Sequence, residues 1–392
     1  MKLNLRKIRL TVIVIIIALL ASGAGYWFGS HPLKTKTGQT FSENEKADLS
    51  LFWDVWERLG ISFIDKNALE KDQMLFGAIK GMVAALGDPY TVFLPPSDNQ
   101  QAKEDLNGSF SGVGIELGYR NQYLTVISPL SGMPAEKAGV KAGDLILKID
   151  GEETTDISLP EAVKLIRGQK GTSVKLTLLH QNEKESYEAT IIRDTIIVPS
   201  VEVKFESDLA LLKLMRFGDR TTDEWHQAVS QIVEHQPAVK GIVFDLRNNP
   251  GGYLSSSVFI ASEFLTSGVV VQQETAEGVK ETFSVNRVGK LTDLPMIVLI
   301  NQGSASASEI VAGALQEHQR AKLTGEKTFG KGSIQEAQDL AEGSGLHITI
   351  ARWLLPSGKS IDKNGIEPDY KIEDNPETKE DEQLEKAKEI LL

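Results

Sequence analysis

The spacing of apolar residues changes along the chain, and each spacing predicts a different kind of element. Between residues 45 and 87, two groups of apolar residues recur every three to four positions, which is typical of amphipathic helices. The groups are Leu49, Phe52, Val55, Trp56 and Leu59, and then Leu75, Ala78, Ile79, Met82, Val83 and Leu86. Gly87 is a natural C-cap for the second helix. Both stripes need a partner surface, which is either the rest of the chain or a second subunit.

Residues 108–195 contain short stretches of strand-forming sequence, which predict a compact mixed α and β module. The predicted strands are 114–117, 124–127, 144–149, 173–179 and 187–192, with a helix at 159–167. A single helix among short strands is the arrangement of a small domain with its own core.

From residue 196 onward, strand and helix patterns alternate, which predicts a parallel α/β core. The predicted strands are 209–214, 239–246 and 296–300, and the predicted helices are 223–235, 255–265 and 306–318. Beyond this core, the segments 333–340 and 346–355 flank a glycine-containing turn as a hairpin, and 379–392 is a charged amphipathic helix.

The N-terminus carries a basic stretch followed by nineteen residues without a charge, from Leu10 to Phe28. Two interpretations compete. The small residues at 21–24 favour a cleaved secretory signal, whereas the aromatic residues at 26–28 favour an uncleaved anchor with an interfacial belt. Either one exports everything downstream, and the length of the apolar run favours the anchor.

Composition limits the possible functions of this chain. At 392 residues, with 41% apolar and 24% charged content, the chain is long enough for two or three globular domains. The formal net charge is −12, which argues against nucleic acid as a partner. The sequence contains no cysteine, so disulfides, thiolate metal sites and a cysteine nucleophile are excluded together.

Ser306 opens the predicted helix at 306–318 and is followed three residues later by Glu309. This S-x-x-E pattern is a capping box, so a structural N-cap is the simpler interpretation. The same position also suits a nucleophile, because a helix N-terminus offers N–H groups and a positive dipole end to an oxyanion. The small neighbours Ala305 and Ala307 leave room for a substrate backbone.

Lys331 lies between Gly330 and Gly332, which fits a place where a substrate approaches the backbone closely. A lysine acts as a general base only when it is neutral, so burial must lower its pKa from about 10.4 to near 7 or 8. In an extended strand, Gln335 shares a face with Lys331 and Ser333, where its amide can hold the amine in line. The alternative for Gln335 is an ordinary surface glutamine.

The run 248–252, of sequence N-N-P-G-G, follows an apolar strand pattern and precedes a helix. A glycine turn at the carboxyl end of a strand is a common ligand site in α/β cores, although an ordinary tight turn has the same sequence.

The sequence of residues 325–332 is close to that of a phosphate-binding loop, but Gly332 occupies the position where such a loop requires a Ser or Thr. The six histidines show no metal-ligand spacing, so we expect no metal and no cofactor.

Gly112, Val113, Gly114 and Ile115 open a predicted strand within the small module. Their backbone amides can bind a carboxylate while the strand edge pairs with an extended peptide. Further motifs follow in order, namely M-P-A at 133–135, A-G at 138–139, G-D at 143–144 and I-D-G at 149–151. This succession resembles a PDZ domain.

The complete set of motifs resembles the C-terminal processing peptidases, also called tail-specific proteases, which are serine peptidases. The resemblance covers most of the chain in the family's order. Besides the PDZ-like module, its motifs are L-G-D-P-Y-T at 86–91, D-L-R-N-N-P-G-G at 245–252, S-A-S-A-S-E at 304–309, F-G-K-G at 329–332, P-S-G at 356–358 and G-I-E-P-D at 365–369.

The resemblance implies an α/β fold class: a crotonase/ClpP-like peptidase core with an inserted PDZ domain, an N-terminal helical region, and a C-terminal β-hairpin and helix. It implies that Ser306 is the nucleophile, Lys331 the general base and Gln335 the residue that orients the lysine. The backbone N–H groups of Ala307 and Gly252 would then form the oxyanion hole.

In relatives, the PDZ domain receives the substrate's C-terminus and can gate the active site. Arg167, at the end of the PDZ helix, aligns with an arginine implicated in that gating, and a solvated helix-end arginine is the alternative. Relatives in spore-forming bacteria dimerise through N- and C-terminal helices. The expected partners are therefore protein or peptide substrates with free C-termini, a membrane, and a second copy of the chain.

The expected domain plan is a membrane anchor or signal segment at 1–29, a linker at 30–44, a helical region at 45–107, a PDZ domain at 108–195, a peptidase core at 196–372 and an amphipathic helix at 373–392. The favoured function is a membrane-anchored serine endopeptidase with its catalytic part outside the cytoplasm. Cleavage of the first segment would instead give a secreted form. The alternative function is a catalytically silent PDZ peptide-binding receptor or scaffold.

Overall fold

The computed structural model describes residues 47–120, 123–155, 157–181, 183–278, 280–374 and 380–391, and the chain divides into two compact units, 1–71 and 72–392. The predicted anchor or signal segment at 1–29 and the linker at 30–44 lie outside the described residues. Across the described ranges, no helix combines the length and the apolar character needed to cross a bilayer.

The first unit contains helix α1 (Ser50–Ser62) and a 3₁₀ turn at Lys66–Ala68. The predicted helix is confirmed, none of its residues is buried, and several apolar ones are exposed, for example Leu51 at 72% and Ile61 at 70%. The other predicted helix of this region is also present, as α2 (Lys71–Ala84).

The chain between α2 and the small module holds two elements that the apolar pattern does not predict. They are strand β1 (Val92–Leu94) and helix α3 (Pro96–Asn107). The helix begins with Pro96 at its N-terminus and ends at Gly108, whose positive φ of 66° provides a left-handed C-cap. The region 45–107 is therefore not purely helical.

The small module is built on an antiparallel sheet of order β3-β4-β5-β7-β8, with β6 added beside β5. Its elements in chain order are β2 (Ser109–Gly112), β3 (Ile115–Arg120), β4 (Tyr123–Pro129), α4 (Pro134–Lys137), β5 (Leu145–Ile149), β6 (Glu152–Glu153), α5 (Leu159–Ile166), β7 (Ser173–Leu179), β8 (Tyr187–Ile192) and β9 (Asp194–Ile197). Leu124, Ile146 and Leu176 are fully buried in its own core. Strands β2 and β9 pair antiparallel with Ser109 opposite Ile197, so the two connections to the rest of the chain lie side by side.

The α/β core has a six-stranded sheet of order β10-β11-β12-β15-β16-β19, parallel from β11 onward. Its elements in chain order are β10 (Val201–Glu206), β11 (Leu209–Leu214), α6 (Thr221–Glu234), β12 (Gly241–Asp245), α7 (Leu254–Phe264), β13 (Val269–Thr275), β14 (Lys280–Ser284), β15 (Met296–Ile300), α8 (Ala307–Glu317), β16 (Lys322–Gly325), β17 (Ser333–Asp339), β18 (Gly345–Leu354), β19 (Tyr370–Lys371) and α9 (Glu382–Leu391). All residues of β15 are buried, as expected for a central parallel strand. Helices α6, α7 and α8 contribute to one core cluster with residues of the sheet, including Trp225, Phe244 and Phe264.

A second sheet of order β1-β18-β13-β14 lies beside the core, with β17 paired to β18. The predicted hairpin is confirmed, because β17 and β18 pair antiparallel from Ser333 opposite Arg352 to Asp339 opposite Gly345. Strand β1 pairs with the same β18, Val92 opposite His347. This pairing brings the D-P-Y-T turn at 88–91 to β18, the partner of the strand that follows Lys331.

Helix α9 confirms the predicted amphipathic helix at the C-terminal end. Its apolar face packs on the core sheet, where Ala387 is fully buried against a cluster that includes Ile297 and Leu299. Arg247 fixes the start of the helix by donating to both Asp381 carboxylate oxygens at 2.8 Å each. The helix therefore covers a face of its own chain.

Candidate active site

Ser306 lies at the N-terminal end of α8 in a backbone conformation that residues other than glycine rarely adopt. Its φ is 55° and its ψ is −114°. Such strain persists only where neighbouring contacts hold it, and it concentrates at functional sites. Ala305 and Ala307 on either side are buried, so small side chains surround the serine as the sequence suggested.

The contact that holds this conformation comes from Glu309, a fully buried residue in the first turn of α8. Its Oε2 accepts hydrogen bonds from the N–H groups of Ser306 at 2.8 Å and Lys331 at 2.9 Å. Its Oε1 accepts from Thr328 Oγ1 at 2.6 Å and from the N–H of Gly330 at 2.7 Å. Burial raises the pKa of the Glu309 carboxyl, and these four hydrogen bonds oppose that rise. One carboxylate thus joins the serine turn to the lysine loop.

The Lys331 amine is partly buried, and burial lowers its pKa below the ordinary lysine value, as a general base requires. The carboxylates of Asp88 and Glu309 act in the opposite direction. The amine lies 5.2 Å from the centroid of the Tyr90 ring. Within the described ranges, no hydrogen bond joins Lys331 Nζ to Ser306 Oγ. The structure therefore brings the two backbones together and leaves the two reactive atoms unbonded.

Gln335 lies on β17 and contacts groups other than the lysine. Its Nε2 donates to Ser333 Oγ at 2.8 Å and to Thr349 Oγ1 at 3.2 Å. The described residues include no hydrogen bond between this amide and Lys331. The predicted orienting contact, in which Gln335 Oε1 accepts from the lysine amine, is therefore not formed in this structure.

The glycine turn after β12 packs against the serine. Gly252 forms an isolated parallel bridge with Phe217, and a side chain on Gly252 would collide with the Phe217 carbonyl group. A Cβ added to Gly251 would lie 2.9 Å from Ser306 Cβ and 2.9 Å from the nitrogen of Ala307. The Gly251 N–H donates to Asn249 Oδ1 at 2.9 Å. Among the described residues, the N–H groups of Gly252 and Ala307 form no hydrogen bond, which suits a pair of oxyanion donors.

Two asparagines lock this turn to the serine loop. The N–H of Asn248 donates to Asn301 Oδ1 at 2.8 Å, and Asn301 Nδ2 donates back to Asn248 Oδ1 at 2.9 Å. The carbonyl oxygen of Asn249 accepts from the N–H of Ala305 at 3.0 Å and from Ser308 Oγ at 2.9 Å. Four hydrogen bonds therefore hold the glycine turn and the serine loop together.

The predicted peptide-binding loop lies between β2 and β3 of the small module. Gly114 has a positive φ of 76°, and a side chain there would collide with Met133. The carbonyl oxygens of Val113 and Gly114 accept from the N–H groups of Ala135 and Leu130, both at 2.9 Å. These contacts fix the loop from behind, as a preformed carboxylate site requires.

Arg167 is the C-cap of α5, and its guanidinium carbon lies 4.1 Å from the ring centroid of Phe110 on β2. One of its buried nitrogens, Nη1, has no hydrogen-bond partner in the described part of the chain. Arg193, just before β9, donates to the carbonyl oxygens of Leu165 and Ile166, the last residues of α5. Residues on or beside the two connecting strands therefore contact the end of α5.

Several of these residues were not identified from the sequence. Glu309 was recognised only as part of a capping box, which explains one of its four hydrogen bonds. Arg193 carries no local signal, and Tyr90 was noted only within the L-G-D-P-Y-T motif without a role, because the contacts of both residues depend on segments far away in the sequence. Across the described residues, no group of three His, Asp or Glu side chains has the geometry of a metal site.

The comparisons with known proteins agree with this architecture. The family model of peptidase family S41 matches residues 208–372, and that of the PDZ domain matches residues 125–179. The carboxy-terminal-processing protease of Bartonella bacilliformis is 39% identical over 338 residues, covering 84% of this chain and 76% of that protein. The carboxy-terminal processing protease CtpA of Bacillus subtilis (strain 168) is 34% identical over 374 residues, covering 94% and 78%.

Solved structures with a similar fold also include a C-terminal processing protease. A photosystem II D1 C-terminal processing protease is 30% identical, with a TM-score of 0.51, and the match covers 82% of this chain and 92% of that chain. The α/β fold class with a PDZ domain is therefore confirmed.

Proposed function

We propose, from the premise that this chain belongs to the C-terminal processing serine proteases of peptidase family S41 and carries a PDZ domain, that Ser306 and Lys331 form its catalytic dyad. The observation that carries the proposal is the shared Glu309 carboxylate, which ties the serine turn and the lysine loop together. A strained serine at a helix N-terminus beside a partly buried lysine is an arrangement that can activate a hydroxyl without histidine or metal.

The chemistry follows from these positions. Neutral Lys331 takes the proton of Ser306 Oγ while that oxygen attacks the carbonyl carbon of the scissile peptide bond. The N–H groups of Ala307 and Gly252 donate to the oxyanion that forms. As the C–N bond breaks, the Lys331 ammonium gives its proton to the leaving amine. A water molecule then hydrolyses the acyl-enzyme ester with the same base, which releases Ser306.

Gln335 would orient the Lys331 amine during these proton transfers. Its Nε2 donates to Ser333 and Thr349, which leaves Oε1 as the acceptor for the amine, and the contact forms once the Lys331 amine or the amide moves within hydrogen-bonding distance. We assign the trigger to the PDZ domain. A substrate C-terminal carboxylate would bind the N–H groups of the loop at 112–115, in the manner of strand addition to a sheet edge. Arg167 would relay this event, because it lies where α5 meets the connecting strand β2.

The placement of the whole protein is a further part of the proposal. The uncharged run at 10–28 would tether the chain to the cell membrane with the protease outside the cytoplasm, and cleavage of that run would release it. The exposed apolar residues of α1 would support a homodimer. The C-terminal helix is a weaker candidate for that contact, because its apolar face already packs on the core sheet.

The test is cleavage of casein, as an unfolded protein substrate, by the purified protein and three variants. Ser306→Ala and Lys331→Ala are each expected to lower the rate by at least about a thousandfold. Lys327→Ala is the matched control, because Lys327 is half exposed and pairs with Glu367 at 2.8 Å; it should cleave like the wild type. Undiminished cleavage by either site variant would refute the dyad. A folded wild type that binds peptide C-termini and cuts nothing would support the silent receptor instead.

A further inference from the structure

The turn between α2 and β1 places an aromatic ring against the candidate base. The Tyr90 ring centroid lies 5.2 Å from Lys331 Nζ, a distance at which the face of an aromatic ring attracts a cation. Tyr90 belongs to the D-P-Y-T motif at 88–91, which the catalytic proposal above does not use. The ring and the amine are far apart in the sequence, so the contact depends on how the turn is held.

Hydrogen bonds of the turn fix the position of the ring. The Tyr90 N–H donates to Asp88 Oδ1 at 3.1 Å, and Thr91 Oγ1 donates to Asp88 Oδ2 at 2.6 Å. Thr91 Oγ1 in turn accepts from the N–H of Thr349 on β18 at 3.1 Å. Because Thr349 also accepts from Gln335, the turn and the predicted orienting residue share one anchor. The ring is therefore attached to β18, the strand that pairs with β17, on which Gln335 lies.

The charged groups around the amine keep the ring itself neutral. Burial, followed by the carboxylates of Asp362, Glu309 and Asp88, raises the pKa of the Tyr90 phenol. The phenol therefore stays protonated over the pH range in which Lys331 would act as a base, and it presents an uncharged aromatic face to the amine. On β18, burial and then the charge of Lys331 lower the pKa of His347, so this imidazole is neutral at and above neutral pH. The titratable groups that act on the amine are thus the carboxylates of Asp88 and Glu309, both of which favour its charged form.

We propose that Tyr90 is a positioning residue for proton transfer. Its ring face holds the protonated amine of Lys331 after the amine has taken the proton of Ser306 Oγ and before it gives that proton to the leaving amine. The proposal rests on the role of Lys331 given above and adds a partner for its charged form. When the amine takes the proton of Ser306 Oγ, it becomes a cation in a partly dry site. In its proposed orienting role, Gln335 would accept a hydrogen bond from either form of the amine, whereas an aromatic face favours only the cation.

The proposal makes a prediction about pH that a purely structural role does not. Removing the ring while keeping the site filled with an apolar side chain withdraws a contact that favours the ammonium, so the amine loses its proton at lower pH. For Tyr90→Leu, the midpoint of the acid limb of kcat/KM should move down by about 0.5 to 1 pH unit. Tyr90→Phe keeps the face and should leave the midpoint where it is. Tyr90→Met serves as a second non-aromatic variant if the leucine variant does not fold.

The experiment measures kcat/KM from pH 5 to 10 on a quenched fluorescent peptide with a free C-terminus, using the full-length protein and the variants at Tyr90. Circular dichroism melting shows which variants are folded. A downward shift with leucine or methionine, and none with phenylalanine, supports the proposal. Equal midpoints for all folded variants would overturn it, and so would a phenylalanine midpoint that moves as far as the leucine one.

A second readout separates this proposal from the catalytic one. In the Ser306→Ala background, the Lys331 amine is titrated by NMR of side-chain ¹³C-labelled lysine, with Lys331→Arg identifying its resonance. The ring contact predicts a lower midpoint in Ser306→Ala/Tyr90→Leu than in Ser306→Ala alone. If the two titrations coincide, the ring does not act on the amine. If they differ while Lys331→Ala still cleaves substrate, the contact is real and the assignment of the base is wrong.

Discussion

Ser306 and Lys331 donate their backbone N–H groups to the same carboxylate oxygen, Glu309 Oε2, at 2.8 and 2.9 Å. A single buried atom therefore sets the separation of the helix start that holds the candidate nucleophile and the loop that holds the candidate base. The other oxygen is also occupied, by Thr328 and Gly330. Each carboxylate oxygen already accepts two hydrogen bonds. Replacing Glu309 should therefore disturb the serine turn and the lysine loop together.

Glu309→Gln is expected to lower kcat by about a hundredfold or more and to reduce the free energy of unfolding by about 2 kcal/mol. A carboxylate accepts hydrogen bonds on both oxygens, whereas an amide presents an NH₂ group to two of the four donors. The measurement is kcat on a peptide substrate together with chemical unfolding. Glu317→Gln, at the far end of the same helix, is the control and should keep wild-type kcat. A fully active, folded Glu309→Gln would show that the shared oxygen does not set the geometry.

The activity of the wild type should rise with pH and level off below the ordinary lysine value. Burial disfavours the ammonium of Lys331 and lowers its pKa, so the neutral base becomes available below pH 10.5. The measurement is kcat/KM from pH 5 to 10, with circular dichroism confirming that the protein stays folded. A flat profile over this range would count against a lysine base.

Gly251→Ala and Gly252→Ala are each expected to reduce kcat by about a hundredfold or more, because both displace the proposed oxyanion donors. At Gly251 the added methyl group meets Ser306 Cβ at 2.9 Å, and at Gly252 it meets the Phe217 carbonyl group. Gly278→Ala is the matched control, since Gly278 also has a positive φ, of 74°, and open space around it. It should cost about 1 kcal/mol of stability with no loss of kcat. Active, folded variants at both site glycines would exclude this turn from the oxyanion hole.

Asp381→Asn should loosen the C-terminal helix, because Arg247 would keep only one of its two hydrogen bonds to this side chain. We expect a loss of about 1 to 3 kcal/mol and faster hydrogen exchange in α9. Burial raises the pKa of Asp381, but its hydrogen bonds and the charge of Arg247 outweigh this and lower it. The ion pair therefore stabilises the fold above the ordinary aspartate value of 3.8, and this contribution is lost as pH falls through the lowered pKa. Unchanged exchange in α9 would mean that apolar packing alone holds the helix.

Much of the fold is predictable from local patterns. Strands such as Ser173–Leu179, Leu209–Leu214 and Met296–Ile300 match their predicted bounds, because their apolar residues are either alternating or continuous. The spacing of apolar residues does not predict helix α3, because Pro96–Asn107 is polar on most sides and has no apolar stripe. Its position depends instead on contacts such as the hydrogen bond from Asn99 Nδ2 to Asp339 Oδ1, which joins distant segments.

Some residues of the candidate site are likewise predictable from local sequence, and others are not. Ser306 can be found because the capping box marks a helix start, and Lys331 because two glycines around a lysine are unusual. Tyr90 cannot be found by these means, because its contact with the amine arises only when β1 pairs with β18. The orientation of the Gln335 amide is likewise not predictable from the sequence, because an alternating strand pattern fixes the face of a side chain but not its hydrogen-bond partner.

The antiparallel pairing of β2 with β9 makes the peptide-recognition module exchangeable. The chain enters and leaves this domain through two adjacent, paired strands, so a different PDZ sequence could replace the segment between Gly112 and Asp194 without changing the path of the chain through the protease. If the PDZ domain selects substrate tails as proposed above, evolution or engineering could alter that selection while the catalytic domain keeps its own sequence.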